Sequence, residues 1–223
     1  YTGSMLEVSN TLGTNSADIT MGYYAASAGM AIAYPIIPKV LAAFSVKSLL
    51  LIDLILQFFL SWVCARTQNA DILIVCSFAV GFLKGFLMLW FIRYAQKIFS
   101  RKNVRSEFYS YFYPLVYGGG QASMLVTALL AYYYNWKYMY YFMMMLILIA
   151  ILFVIICFRH NRPVKAVALS DLHIREMFVI STGLLMLMYV INYGKVLDWM
   201  ASGKVCAYII IAPMLIALFI WYQ

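Results

Sequence analysis

Two charged side chains, Asp53 and Lys84, lie deep inside apolar runs of a 223-residue chain in which only 11% of residues are charged. A charge near the middle of a bilayer costs about 2.5–3.5 kcal/mol on insertion scales, so it faces a partner or a watery cavity. At about 1.5 Å per residue, Asp53 is ~10 Å into its run and Lys84 ~12 Å into its own, counted from the same side. Similar depth allows a structural ion pair. The alternatives are a lysine that snorkels to the interface and a site that couples a proton or a substrate to movement. Tyr24, Tyr117, Gln121 and Asn192 are further candidates for substrate or ion contact, since a polar group in hydrocarbon needs a partner or a cavity. Tyr23 joins Tyr24 and Tyr117 as a candidate wall of an aromatic pocket. Lys47, Arg105 and Glu107, in or beside basic links, are candidates for a gate at the cytoplasmic face.

Enzymatic chemistry has no comparable set. The sequence holds no Ser–His–acid constellation, paired catalytic carboxylates or His-rich motif. Cys64, Cys76, Cys157 and Cys206 are scattered without a Cys-x-x-Cys pair and read as buried free thiols, not a metal site. His160 and His173 read as solvated loop residues. Gly118-Gly119-Gly120 lacks the Lys-Ser or Lys-Thr of a phosphate loop. The expectation is a non-enzyme without cofactor or metal.

The elements that must position these residues are apolar runs. The chain is 65% hydrophobic and 17% aromatic, whereas soluble proteins carry about 25% charged residues. Lipid is the solvent that suits this balance. Seven runs stand out: 19–37, 46–65, 72–92, 109–134, 138–158, 177–193 and 205–222. Each has about the length that crosses a hydrocarbon core as a helix, and none shows the alternation of a barrel strand. The predicted fold class is an all-α, polytopic membrane bundle.

Charge sets the expected orientation. Lys39, Lys47, Arg93, Lys97, Arg101, Lys102, Arg105, Arg159, Arg162, Lys165 and Arg175 fall in or beside alternate links. Arg66, Lys137, Lys195 and Lys204 fall on the other side. The positive-inside rule makes the first set cytoplasmic and puts the amino-terminal segment outside. The net charge of +8 is thereby explained by topology, not by nucleic-acid binding.

Local patterns predict how the helices pack. Gly22, Ala26, Gly29 and Ala33 recur at helical spacing, and Gly81 and Gly85 form a Gly-x-x-x-Gly pair, so both stripes are expected to let backbones approach. Gly118–Gly120 after Pro114 predicts a bend or a tight crossing. Tyr132, Tyr133, Tyr134, Trp136, Tyr138, Tyr140 and Tyr141 read as an interfacial aromatic belt.

Several of these patterns resemble the major facilitator superfamily, in its 14-helix drug:proton antiporter branch. Thr11-Leu12-Gly13-Thr14 followed by Met21-Gly22-Tyr23-Tyr24-Ala25 is similar to that branch's first external loop and second helix. Arg105-Ser106 resembles the turn between helices four and five, Asn135-Trp136-Lys137-Tyr138 the entrance to helix six, and Gly194 to Trp199 the link after helix seven. Three signature positions depart from the pattern. Lys47 is the remnant of the charged loop between helices two and three, Phe78 stands where the coupling arginine belongs, and Ser123–Ala128 replaces the Gly-Pro-x-x-Gly-Gly motif.

The resemblance implies an order of parts. Residues 1–18 are the end of a first helix and an external loop, and 19–158 are helices two to six of the amino-terminal bundle. Residues 159–176 are a basic cytoplasmic link, and 177–223 are helices seven and eight. It further implies a fragment of a secondary transporter in the plasma membrane, a bacterial inner membrane, working by alternating access. Its expected partners are the bilayer, a small amphipathic or toxic substrate for efflux, protons as coupling ion, and the missing carboxy-terminal bundle. A seven-span receptor or sensor and a degenerate transporter with a structural role are the other readings.

Overall fold

The computed structural model describes residues 5–43, 45–99, 105–158 and 174–222. Eight α-helices follow one another: α1 (Met5–Leu12), α2 (Ser16–Ala43), α3 (Val46–Arg66), α4 (Ala70–Phe99), α5 (Arg105–Tyr133), α6 (Lys137–Cys157), α7 (Ile174–Tyr193) and α8 (Gly203–Tyr222). No strand occurs among the described residues. Five of these helices, α3 to α6 and α8, are long and apolar enough to cross a membrane; the described apolar stretch of α7, Phe178–Tyr193, is shorter. Ile52, Val75, Leu125 and Ile156 are among many large apolar side chains left exposed. Lipid-facing helices can afford that exposure because every backbone polar group between their ends is bonded within the helix. The chain is an all-α, multi-pass membrane protein.

The tightest helix pair is α2 with α4, and the small residues are the reason. Along α2, Gly22, Gly29 and Ala33 face Ser77, Phe78 and Gly85 of α4, and Gly81 lies against the backbone of Ala26. A Cβ at Gly85 would stand 2.7 Å from that of Ala33. Both glycine stripes thus serve packing, as their spacing predicts. Leu50 and Leu54 of α3 pack with Ile147 and Val154 of α6 in a second core. The α7–α8 hairpin leans on α2, where Asn192 Nδ2 donates to the Ala17 carbonyl at 2.6 Å and the Tyr193 hydroxyl donates to Asp18.

Short polar links turn the chain. Asn69 Oδ1 accepts the Asp71 N–H at 3.0 Å and so caps α4. Asn135 Oδ1 accepts the Lys137 N–H at 3.1 Å at the start of α6. Between α7 and α8, Asp198 and Trp199 both adopt positive φ, 52° and 46°. For Trp this conformation costs about 1–2 kcal/mol. The Trp199 ring lies so close to Gly194 that a Cβ there would be 2.6 Å from it, which makes this glycine necessary to the turn.

Two packing expectations are corrected. The helix α5 runs unbroken through Pro114 and the glycines, and a Cβ at Gly118, Gly119 or Gly120 would meet nothing within 4 Å. No tight crossing forms there among the described residues. The aromatic cluster also divides. Tyr132, Tyr133, Tyr134, Tyr138 and Tyr141 are exposed as a belt requires, but Trp136 is buried in the core with Val8, Ile19 and Leu73. Tyr140, one turn on from Trp136, also turns inward.

Candidate functional site

A cavity of about 560 Å³ lies between α2, α3, α4, α5 and α6. Its position follows from the packing. Close contact of α2 with α4 and of α3 with α6 leaves space between the pairs, and α5 covers it loosely. Only 6% of the α5 span is buried, against 39% of the α3 span. Gln96 donates to the Tyr109 hydroxyl at 2.9 Å and Phe91 stacks on Phe112 at 5.9 Å near the start of α5, while Ala131 in its last turn is buried with Trp136 and Met139.

The cavity wall is apolar with hydroxyl groups set into it. Tyr23, Ser27 and Tyr34 come from α2, Ser61 from α3, Ser77 from α4, Ser123 and Thr127 from α5, and Tyr140 from α6. Met30, Met124, Met139 and Met143 supply much of the remainder. Lys84 is the one charged residue in this wall among the described residues. It is half-buried and has no hydrogen bond or ion pair among the described residues.

Asp53 stands apart from Lys84, and no ion pair joins them. The Asp53 side chain is buried, with its Oδ2 accepting from Gln57 Nε2 at 2.9 Å. Its Oδ1 is buried without a partner among the described residues. Asp53, Gln57, Ser61 and Cys64 recur at helical spacing and form the buried polar face of α3. Ser61 and Cys64 reach the cavity, whereas Asp53 and Gln57 lie one to two turns beyond it.

The remaining candidates are distributed. Tyr24 is half-buried beside Tyr23, rings 6.0 Å apart, and does not line the cavity. Tyr117 and Gln121 lie on the exposed stretch of α5, outside the wall. Asn192 is spent on its bond to Ala17. Lys47 Nζ donates at 2.9 Å to the carbonyl of Ile155, in the last turn of α6. A cation there satisfies a carbonyl that the helix leaves open and meets the negative end of its dipole. The side chains of Arg105 and Glu107 lie outside the described residues, as do His160 and His173.

Ser61 and Ser77 are site residues that reading single polar groups in isolation misses, as is the link through Gln57 from Asp53 towards Ser61. The signal was present, since Asp53, Gln57 and Ser61 follow one another at four-residue steps within an apolar helix. Cys64 and Cys76 are free and buried. The Cys64 thiol is hydrogen-bonded with Cys76 and with Tyr140 beside the cavity. Among the described residues no group of three or more His, Cys, Asp and Glu side chains could hold a metal ion.

The arrangement defines a multi-pass membrane protein with a cavity among its helices whose wall is apolar, bears hydroxyl groups and, among the described residues, holds the one charged side chain Lys84. Compared with family models, with curated proteins and with solved structures, the chain matches none.

Proposed function

We propose that the chain is the amino-terminal part of a secondary active transporter of the major facilitator type, with proton-coupled efflux of small amphipathic compounds as its activity. The observation that carries this reading is the cavity. It lies among five helices, is large enough for a small organic molecule, and combines apolar walls with a few convergent polar groups. Substrates of alternating-access transporters are held in such a space at the interface of two bundles. The loose seat of α5 and its glycine-rich open face supply a surface that a second bundle would cover. The contact of Gly194 with Trp199 gives the link after α7 a defined structure, in keeping with the resemblance noted there.

The test is flux. Membrane vesicles containing the full-length transporter of which this chain is a part are given an imposed proton gradient, and movement of fluorescent amphipathic probes is followed. Gradient-driven movement should be lost in Ala31→Trp, whose ring fills the cavity, at unchanged membrane abundance. If no probe moves with the gradient, or if Ala31→Trp transports normally, the proposal fails.

A further inference from the structure

We propose that the cavity is a site for amphipathic organic anions, in particular monocarboxylates, held by Lys84. The inference rests on reading the cavity as a substrate site, and it names the chemistry which that site selects.

Among the described residues the wall carries one charged side chain, and it is basic. Asp53, at similar depth in the sequence, is buried on α3, is bonded to Gln57, and does not line the space. An ammonium away from bulk water needs a counter-charge or hydrogen-bond acceptors, and Lys84 has neither among the described residues. A carboxylate entering the cavity provides both. Ser61 and Ser77, both buried, set hydroxyl groups into the same wall. The methionine and tyrosine surfaces accept an apolar body. A single lysine is a point charge, which matches a monoanion better than the multiply charged phosphate that several cations would favour.

The competing occupant is an organic cation stacked on Tyr23, Tyr34 or Tyr140. Cation–π attraction of that kind is modest, and Lys84 opposes it with a like charge that a low-dielectric cavity screens poorly. The charge therefore decides the class. The tyrosines serve as apolar wall and hydrogen-bond donors.

The experiment compares three fluorescent probes of one shape: pyrenebutyrate, its neutral amide and its trimethylammonium analogue. Binding to the chain in lipid nanodiscs is measured against empty nanodiscs, which corrects for partition into lipid. The unmodified chain should bind the carboxylate more tightly than the amide by on the order of tenfold or more, the gain expected of a charge-assisted hydrogen bond. The trimethylammonium probe should bind more weakly than the amide. The preference should vanish in Lys84→Gln and survive in Lys84→Arg. Displacement by anionic phospholipid or by a soluble carboxylate would both sustain an anion site and would tell its two sources apart. Equal affinity for carboxylate and amide in the unmodified chain overturns the proposal without reliance on any variant. So does a preference that persists in Lys84→Gln, or no binding of the carboxylate at all. A clear carboxylate preference without gradient-driven flux would leave the anion site standing and remove only the transport reading.

Discussion

Alanine at Gly81 and alanine at Gly119 are the same chemical change on two helices of one chain, and the structure gives them opposite signs. A Cβ at Gly81 runs into the carbonyl of Ala26 across the α2–α4 contact. The obstacle is backbone, so no rotamer change relieves it and the helices must move apart. Over-packing costs about 1–3 kcal/mol, and a backbone clash belongs at the upper end. Replacing a helical glycine returns about 1 kcal/mol through the lower entropy of the unfolded chain. Gly81→Ala should therefore lose about 1–2 kcal/mol. Gly119→Ala has nothing within 4 Å and should keep the whole gain, about 1 kcal/mol. The two variants are then separated by about 2–3 kcal/mol. Unfolding in mixed micelles with rising SDS fraction, followed by circular dichroism and tryptophan fluorescence, reads the difference. Gly81→Ala at or above the stability of the unmodified chain would refute the close approach of α2 and α4. A loss at Gly119 would instead place another helix on the open face of α5.

Three further outcomes follow from named contacts. Gln57→Leu strips the donor from Asp53 and should destabilise by about 1–3 kcal/mol, while adding Asp53→Leu should recover much of that; a double-mutant cycle without coupling would contradict the pair. Lys47→Met removes the donor to Ile155 at the end of α6 and should cost about 0.5–1 kcal/mol, discounted because the site is partly exposed. Its mark is faster amide exchange in the last turn of α6, and unchanged exchange there would count against the cap. Asn192→Ala with Tyr193→Phe should loosen the α7–α8 hairpin from α2 and speed amide exchange at the start of α2. Equal hydrogen exchange at the start of α2 with and without those two side chains would remove the clamp from the account.

Membrane helices are legible because length and apolarity are one-dimensional properties, and so is the recurrence of small residues. The stripes at Gly22–Ala33 and at Gly81–Gly85 could be matched to helix faces from spacing alone, and those faces meet. Azimuth between helices is what a single sequence does not carry. Asp53 and Lys84 have similar depth, yet successive residues turn by about 100° around a helix. Depth says nothing about whether two side chains on different helices face each other. Asp53 points to Gln57 on its own helix, and Lys84 to the cavity. The aromatic cluster fails as a single unit for the same reason. Trp136 and Tyr140 share one face of the α6 entrance and turn inward, while Tyr138 and Tyr141 share another and stay exposed.

The polar face of α3 shows what a stricter reading could have recovered. Asp53, Gln57 and Ser61 each look like an isolated cost in hydrocarbon, but at four-residue steps they form one stripe, and a stripe needs a common destination. One end of it is bonded internally through Gln57 and Asp53 Oδ2, with Asp53 Oδ1 left without a partner among the described residues, and the other opens onto the cavity at Ser61. Lys84 enters the same space from α4 with no acid in the wall opposite it. The polarity of α3 is thus partly bonded within its own helix, while Lys84 of α4 opens onto the cavity. The asymmetry is a property of the assembled wall and of no single segment. It assigns Asp53 to the architecture of α3 and makes Lys84 the side chain whose charge an incoming molecule must answer.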